Sequence, residues 1–207
     1  MKDISKIAFK KSHIEIINLF KKNIFLSKTI REISLTLNKD YPTIYNAIKE
    51  LADKNILNTK EVGKSKVCEL NLNMNSISVL SFLDEQEAIS KNIPNMDKIL
   101  NFKEFLDDIL LITGSYAESK ETKKSDIDLV IITKENAFQK QKLAENLTYL
   151  FLPRIHVIVI TQKDFMDMLR DKKANFGKEI FNKRLIFRNA QRYYELLKEA
   201  IENGFRN

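Results

Sequence analysis

Two short apolar runs place strong constraints on the second half of the chain. Ile109–Thr113 and Leu129–Ile132 each have the length and composition of a buried strand. The polar sequence Ser125-Asp126-Ile127-Asp128 immediately precedes the second run. Residues i and i+2 of an extended chain point to the same face, so Asp126 and Asp128 are predicted to project side by side at a strand start.

Neighbouring carboxylates repel each other unless a cation lies between them. Mg²⁺ prefers oxygen ligands and commonly keeps waters and substrate phosphates in its coordination sphere. The first apolar run ends at Gly114-Ser115. Gly114 permits close backbone approach, and Ser115 offers a hydroxyl and an N–H where a triphosphate would sit. These features predict a site for a divalent cation and a nucleotide.

Gly114-Ser115, followed by Ser125-Asp126-Ile127-Asp128-Leu129, resembles the Gly-Ser…Asp-x-Asp signature of the polymerase-beta-like nucleotidyltransferases, especially their small "minimal" members. The resemblance implies a mixed sheet with flanking helices. It also implies transfer of a nucleoside monophosphate from a nucleoside triphosphate to a hydroxyl, with Mg²⁺ or Mn²⁺. Asp126 and Asp128 would be the catalytic metal ligands, and Gly114, Ser115 and Ser125 would bind the nucleotide.

The chain departs from that family at two places. Ser119 stands where the family often has Gly, and the third carboxylate is missing from the next predicted strand, Arg154–Ile160. His156 or Ile158 is expected near its place. His156 is either a proton acceptor, a nitrogen ligand or a core residue.

Other polar residues near this region have simpler interpretations. Asp164 and Asp167 follow the same strand, and Asp164 is expected to cap a helix rather than bind metal. Lys120, Lys123 and Lys124 either contact phosphates or belong to a solvated loop.

The positive charge is concentrated in the first third of the chain. Residues 1–75 contain 14 Lys and Arg against 8 Asp and Glu, whereas residues 76–207 contain 21 against 20. A localised positive field favours a phosphate backbone, because each neutralised phosphate releases a condensed counterion. A solvated, Lys-rich surface would give the same composition.

Three helices and a hairpin are predicted within this basic segment. Capping boxes at Ser12–Glu15 and Thr29–Glu32 predict the first two helix starts, and Pro42 predicts the first residue of a third. Asn55 is suited to a left-handed position at the end of that helix. The sequence from Ile56 to Asn73 predicts two strands joined by a turn at residues 62–65.

Helix, helix–turn–helix and a basic hairpin together resemble the winged helix-turn-helix DNA-binding domains, over about residues 8–75. In that family the third helix enters the major groove and the wing contacts the backbone or the minor groove. The alternative is a winged helix that contacts protein. The residues expected to contact DNA lie on the third helix and near the hairpin tip: Thr43, Tyr45, Asn46, Lys49, Lys60, Lys64 and Lys66.

The connector and the tail are predicted mainly from apolar spacing. Ser76–Ser90 and Met96–Asp107 are both expected to be helical. A short helix from Phe176, an edge strand at 184–187 and a closing helix follow. Within Tyr193-Tyr194, one ring is expected in the core and the other at the surface or an interface.

The sequence therefore predicts a two-domain α/β protein, with a winged helix-turn-helix at 1–75, a helical connector at 76–95 and a nucleotidyltransferase-like domain at 96–207. The leading hypothesis is a DNA-binding, Mg²⁺-dependent nucleotidyltransferase. One alternative is a transcriptional regulator whose second domain is a silent nucleotide sensor or dimerisation module, and another is an antitoxin-like partner of a toxin. The expected partners are DNA, a nucleoside triphosphate, a protein acceptor or a second copy of the chain.

A cytoplasmic location is expected from two features. Met1–Ser5 does not begin an apolar run typical of a signal peptide. The single cysteine, Cys68, cannot form an internal disulfide. No apolar stretch reaches the roughly 18 residues of a membrane span, so no membrane partner is expected.

Overall fold

The computed structural model describes residues 9–206, so Met1–Ser5 lies outside the described residues. The chain divides into two compact units, one of residues up to Leu80 and one from Ser81 to Arg206. The helix Met74–Ser90 contributes residues to both units.

The first unit contains three helices and a three-stranded antiparallel sheet in the order β1-β3-β2. Its elements, in chain order, are α1 (Lys11–Lys22), β1 (Ser27–Thr29), α2 (Ile30–Leu37), α3 (Tyr41–Asp53), β2 (Leu57–Val62), β3 (Ser65–Leu70) and the start of α4 (Met74–Ser90). The buried stripes of the helices supply its core: Ile16, Ile17, Phe20, Ile30, Ile33, Ile44, Ala47, Ile48 and Leu51. β1 was not predicted, because three residues are too few to show an alternating pattern.

The helix ends agree with the sequence in part. The capping box of Thr29 and Glu32 is confirmed, and Asn55 has the predicted left-handed backbone, with φ of 58°. The box predicted at Ser12 is wrong: α1 begins at Lys11, and His13 Nδ1 accepts a hydrogen bond from the N–H of Lys10. Pro42 is the second helical residue rather than the first, because Asp40 caps the helix by accepting from the N–H of Thr43.

The second unit is built on a mixed four-stranded sheet in the order β6-β5-β4-β7. Its elements are the remainder of α4, α5 (Met96–Leu100), a 3₁₀ turn (Lys103–Phe105), β4 (Ile109–Thr113), α6 (Gly114–Ala117), β5 (Ile127–Thr133), α7 (Ala137–Thr148), β6 (Ile155–Thr161), α8 (Gln162–Arg170), α9 (Phe176–Asn182), β7 (Leu185–Arg188) and α10 (Ala190–Glu202). β4 is antiparallel to β5 and β7, whereas β5 and β6 are parallel. The predicted mixed sheet with flanking helices is confirmed.

α7 makes the connection that two parallel strands require, from the end of β5 to the start of β6. The sequence interpretation assigned no element to this segment. α7 buries only Ala144 and Thr148, so its sequence shows little of the apolar stripe that identifies a helix.

Two predictions for this unit are wrong. The helix expected over Met96–Asp107 ends at Leu100, where the Asn101 side chain donates to the carbonyl of Asp97. Tyr193 and Tyr194 are both fully buried, rather than one in the core and one at the surface. The hydroxyl of Tyr194 donates to the carboxylate of Asp84, which makes burial of this polar ring possible.

Candidate functional site

Asp128 lies on β5 between two neighbouring strands. Its partner on antiparallel β4 is Thr113, and its partner on parallel β6 is His156. β4 and β5 are buried because β-branched and other apolar residues fill both faces, and within these two strands only Asp128 is partly exposed. The strand pairing therefore brings the segment that follows β4 and the segment that precedes β5 to the same end of the sheet.

Gly114 follows Thr113 and lies directly against Asp128. Its φ is +69°, which glycine adopts at little cost. A Cβ atom placed on Gly114 would fall 2.3 Å from Asp128 Oδ2, far inside van der Waals contact. The backbone angle favours glycine here, and any side chain at this position would force the Asp128 carboxylate to move.

Asp126 immediately precedes β5 and is exposed, and the buried Ile127 lies between it and Asp128. Burial raises the pKa of the Tyr116 hydroxyl on α6, and the negative charges of Glu121 and Asp126 raise it further. Asp126 thus acts electrostatically on the same turn that Asp128 contacts at Gly114.

His156 occupies the strand position beside Asp128. Its Nδ1 lies 3.2 Å from Asp128 Oδ1, with the imidazole 64% exposed and the carboxylate 33% exposed. An ionised carboxylate only accepts hydrogen bonds, so this contact requires that Nδ1 of His156 carries the proton. The core-residue interpretation of His156 is wrong, because the ring is exposed at the sheet end.

Three serines predicted or noted near the site have different surroundings. Ser115 is half-buried in α6, and its carbonyl accepts from the N–H of Lys120 at 2.9 Å. The Ser125 hydroxyl accepts from the N–H of Thr122 at 2.9 Å, which orders the loop before β5. Ser119 has a φ of 56°, a left-handed angle that explains why glycine suits this position.

The other acidic candidates are engaged elsewhere. The carboxylate of Asp164 accepts from the hydroxyl and the N–H of Thr161, so Asp164 is the third residue of a capping box and Thr161 is the N-cap. Asp167 pairs with Arg170. Lys120 pairs with Glu118 at 3.0 Å, while Lys123 and Lys124 are exposed on the loop.

The acidic side chains at this end of the sheet are of the type that a hard divalent cation prefers. Asp126 and Asp128 supply oxygen, whereas the neighbouring His156 supplies nitrogen, which suits transition metals better than Mg²⁺. Within residues 9–206, no group of three or more His, Cys, Asp or Glu side chains is arranged to hold a metal ion. A cation here would depend on substrate phosphates and water for its other ligands.

A basic surface lies on the first unit. Thr43, Tyr45, Asn46 and Lys49 are exposed on α3, with Lys60 and Lys64 exposed and Lys66 half-buried on the hairpin. A groove of about 570 Å³ is lined by residues from the end of β1, α2, the start of α3 and the hairpin: Thr29, Ile30, Arg31, Ser34, Leu35, Tyr41, Lys64, Ser65 and Lys66.

Sequence interpretation missed Arg31 and Tyr41 on this surface. Tyr41 stacks on Tyr45 with ring centroids 6.1 Å apart and an interplanar angle of 29°. The four-residue spacing of the two tyrosines places them on one helix face, and that spacing is the signal that could have identified Tyr41.

Residues 97–192 match the family model described as "Polymerase beta, Nucleotidyltransferase". The matched segment is slightly less than half of the chain and contains Gly114, Asp126, Asp128 and His156. It supports a nucleotidyltransferase domain in the second unit and, at the family level, nucleotidyl transfer with a nucleotide substrate. No curated protein matches the chain. No helix within residues 9–206 is both long and apolar enough to cross a membrane.

Proposed function

We propose that the second unit binds a nucleoside triphosphate with a divalent cation and transfers the nucleoside monophosphate to a hydroxyl. The main support is the close approach of Gly114 to Asp128. It places the backbone turn after β4 directly beside a carboxylate at one end of the sheet. Asp126 and Asp128 would hold the cation, and the Gly114-Ser115 turn, with Ser125 in the loop, would lie beside the phosphates.

In this reaction the acceptor oxygen bonds to the α-phosphorus, the bond to the bridging oxygen breaks, and pyrophosphate leaves as the hydroxyl loses its proton to solvent. A bound Mg²⁺ or Mn²⁺ would polarise the phosphoryl oxygens and neutralise their charge. The protein's own contribution would be positioning: the β4–β5 register fixes Asp128, and Gly114 lets the backbone approach. The acceptor belongs to a protein or a nucleic acid.

Label transfer from ATP, GTP or CTP tests this activity in Mg²⁺ and in Mn²⁺. Wild type should label an acceptor, and the double variant Asp126→Ala/Asp128→Ala should not. Equal labelling by the two proteins would remove the enzymatic proposal.

We further propose that the first unit is a winged helix-turn-helix that binds DNA. The exposed polar face of α3, the lysines of the β2–β3 hairpin and the basic excess of residues 1–75 support this proposal. Titration of a DNA library at several salt concentrations tests it, because phosphate contacts make affinity fall steeply with salt. Affinity that does not change with salt would favour protein contact instead.

A second function is supported by His156. An imidazole beside Asp128 provides no third carboxylate, which favours a regulator whose second unit binds nucleotide without turnover. Such a regulator would change its DNA affinity when nucleotide binds and would transfer no label. Nucleotide binding that leaves DNA affinity unchanged would contradict the sensing function.

A further inference from the structure

Both oxygens of the Asp128 carboxylate have close neighbours within the second unit. Oδ1 lies 3.2 Å from Nδ1 of His156, the residue paired with Asp128 on β6. Oδ2 faces Gly114 so closely that a Cβ atom there would be 2.3 Å away. The carboxylate is thus held between β4 and β6, with only part of its surface exposed.

A pair of catalytic cations places stronger demands on a carboxylate than a single cation does. The two ions lie about 3.5–4 Å apart, and a carboxylate that bridges them binds one ion with each oxygen. His156 donates to one of the two lone pairs of Oδ1, so a second ion would have to bind the remaining lone pair beside the imidazole. The imidazole supplies no negative charge in return and is a poor ligand for Mg²⁺.

We propose that the Asp128–His156 pair limits this site to one divalent cation, an inference that rests on the proposed nucleotide function. The single ion would be held by Asp126 and by Oδ2 of Asp128, together with the nucleotide phosphates. One ion supports nucleotide binding, whereas a second ion would activate the acceptor hydroxyl. With His156 at this position, we therefore expect nucleotide binding without that activation.

The register of the sheet suggests the substitution that changes the number of ions. Because residue 156 is paired with Asp128, His156→Asp introduces a carboxylate beside it and removes the ring that occupies Oδ1. His156→Asn is the matched control, since it also removes the ring but introduces no charge. The side chain is 64% exposed, so both variants are expected to keep the fold.

Mn²⁺ is a suitable probe because it accepts the oxygen ligands of Mg²⁺ and is detected by electron paramagnetic resonance. The full chain would be titrated with Mn²⁺ in the presence of a non-hydrolysable ATP analogue. Wild type and His156→Asn should each bind one ion per chain, and His156→Asp should bind two. Thermal unfolding of all three proteins confirms that each is folded.

The outcomes distinguish this inference from the function on which it rests. Two ions in wild type would overturn the one-ion limit while leaving nucleotide binding intact. One ion in a folded His156→Asp would overturn the role assigned to His156. If a fluorescent triphosphate does not bind wild type in Mg²⁺ and no Mn²⁺ is retained, both the inference and the proposed function are wrong.

Discussion

Gly114 and Asp128 are in such close contact that no side chain fits between them. A Cβ on Gly114 would lie 2.3 Å from Asp128 Oδ2, and the Gly114 φ of +69° is itself unfavourable for other residues. We therefore expect Gly114→Ala to displace the Asp128 carboxylate and to lower nucleotide affinity at least tenfold, which corresponds to about 1.4 kcal/mol. Fluorescence titration with a labelled triphosphate measures this loss.

Gly63→Ala is the matched control for Gly114→Ala. Gly63 has a similar φ of +61°, but nothing lies within 4 Å of the added Cβ. Both variants should therefore lose roughly 1–2 kcal/mol of stability from the left-handed backbone. Only Gly114→Ala should lose nucleotide affinity, and equal affinity in the two variants would contradict a role for the Gly114–Asp128 contact.

Lys64 and Lys66 should contribute to DNA affinity without selecting a sequence. Both lie on the hairpin and line the groove beside α2 and α3. If each contacts one phosphate, Lys64→Ala/Lys66→Ala should weaken binding to all sequences and reduce the salt slope by about 2. Affinity measured from low to moderate salt on two unrelated duplexes checks both effects.

Two further variants are needed to interpret the result for Lys64 and Lys66. Lys172→Ala/Lys173→Ala removes the same charge from an exposed position in the second unit and should leave the salt slope unchanged. Asn46→Ala should change which sequences are preferred, because an exposed asparagine on α3 can contact base edges. A hairpin variant that retains the wild-type salt slope would exclude phosphate contacts by these lysines.

The sequence predicted the strands around the candidate site more fully than it predicted the surroundings of each side chain. Ile109–Thr113 was predicted as β4 with its observed bounds, because buried strands appear as continuous apolar runs. The contact of His156 with Asp128 depends on the pairing of β5 with β6, which the sequence does not contain. The Ser125 hydroxyl accepts from the N–H of Thr122, a local loop contact that apolar spacing does not reveal.

Helix ends and aromatic burial were less predictable for related reasons. The N-cap of α1 depends on the side chain of His13 reaching back to Lys10, and a lysine N-cap has no characteristic sequence signal. Burial of the Tyr194 hydroxyl depends on Asp84, which lies 110 positions away in sequence and accepts a hydrogen bond from that hydroxyl. Long-range polar partners of this kind are invisible to helical periodicity.

Substitution of Asp84 is expected to lower the stability of the second unit more than most substitutions there. It accepts from the Tyr194 hydroxyl at 2.6 Å and lies 4.0 Å from the buried guanidinium of Arg184. Asp84→Ala would leave Arg184 with less compensation for its buried charge, which typically costs about 3–5 kcal/mol. Chemical denaturation monitored by circular dichroism measures the change in free energy of unfolding.

The exposed pair of Arg192 and Glu195 provides the comparison for Asp84. These side chains are 3.3 Å apart on the surface of α10. Glu195→Ala should cost less than about 1 kcal/mol, because solvent screens exposed ion pairs. Similar losses for Asp84→Ala and Glu195→Ala would show that the buried network contributes little to stability.

His13 should make the stability of the chain depend on pH. Burial lowers the pKa of His13 from 6.5, with smaller opposing and reinforcing effects from Glu50, Lys10 and Lys54. In the folded state Nδ1 accepts from the N–H of Lys10, so the neutral ring is favoured. As pH falls below 6.5 the unfolded chain takes up a proton before the folded chain does, and the free energy of unfolding therefore decreases.

His13→Gln removes this titration, so the difference in unfolding free energy between wild type and variant isolates it. That difference should be constant well above pH 6.5. As pH falls from 6.5 towards the lower folded-state pKa of His13, the unfolding free energy of wild type should decrease relative to that of the variant. Urea denaturation at pH 5.5 to 7.5 measures it in the full chain. A difference that stays constant across this range would mean that folding does not disfavour protonation of His13.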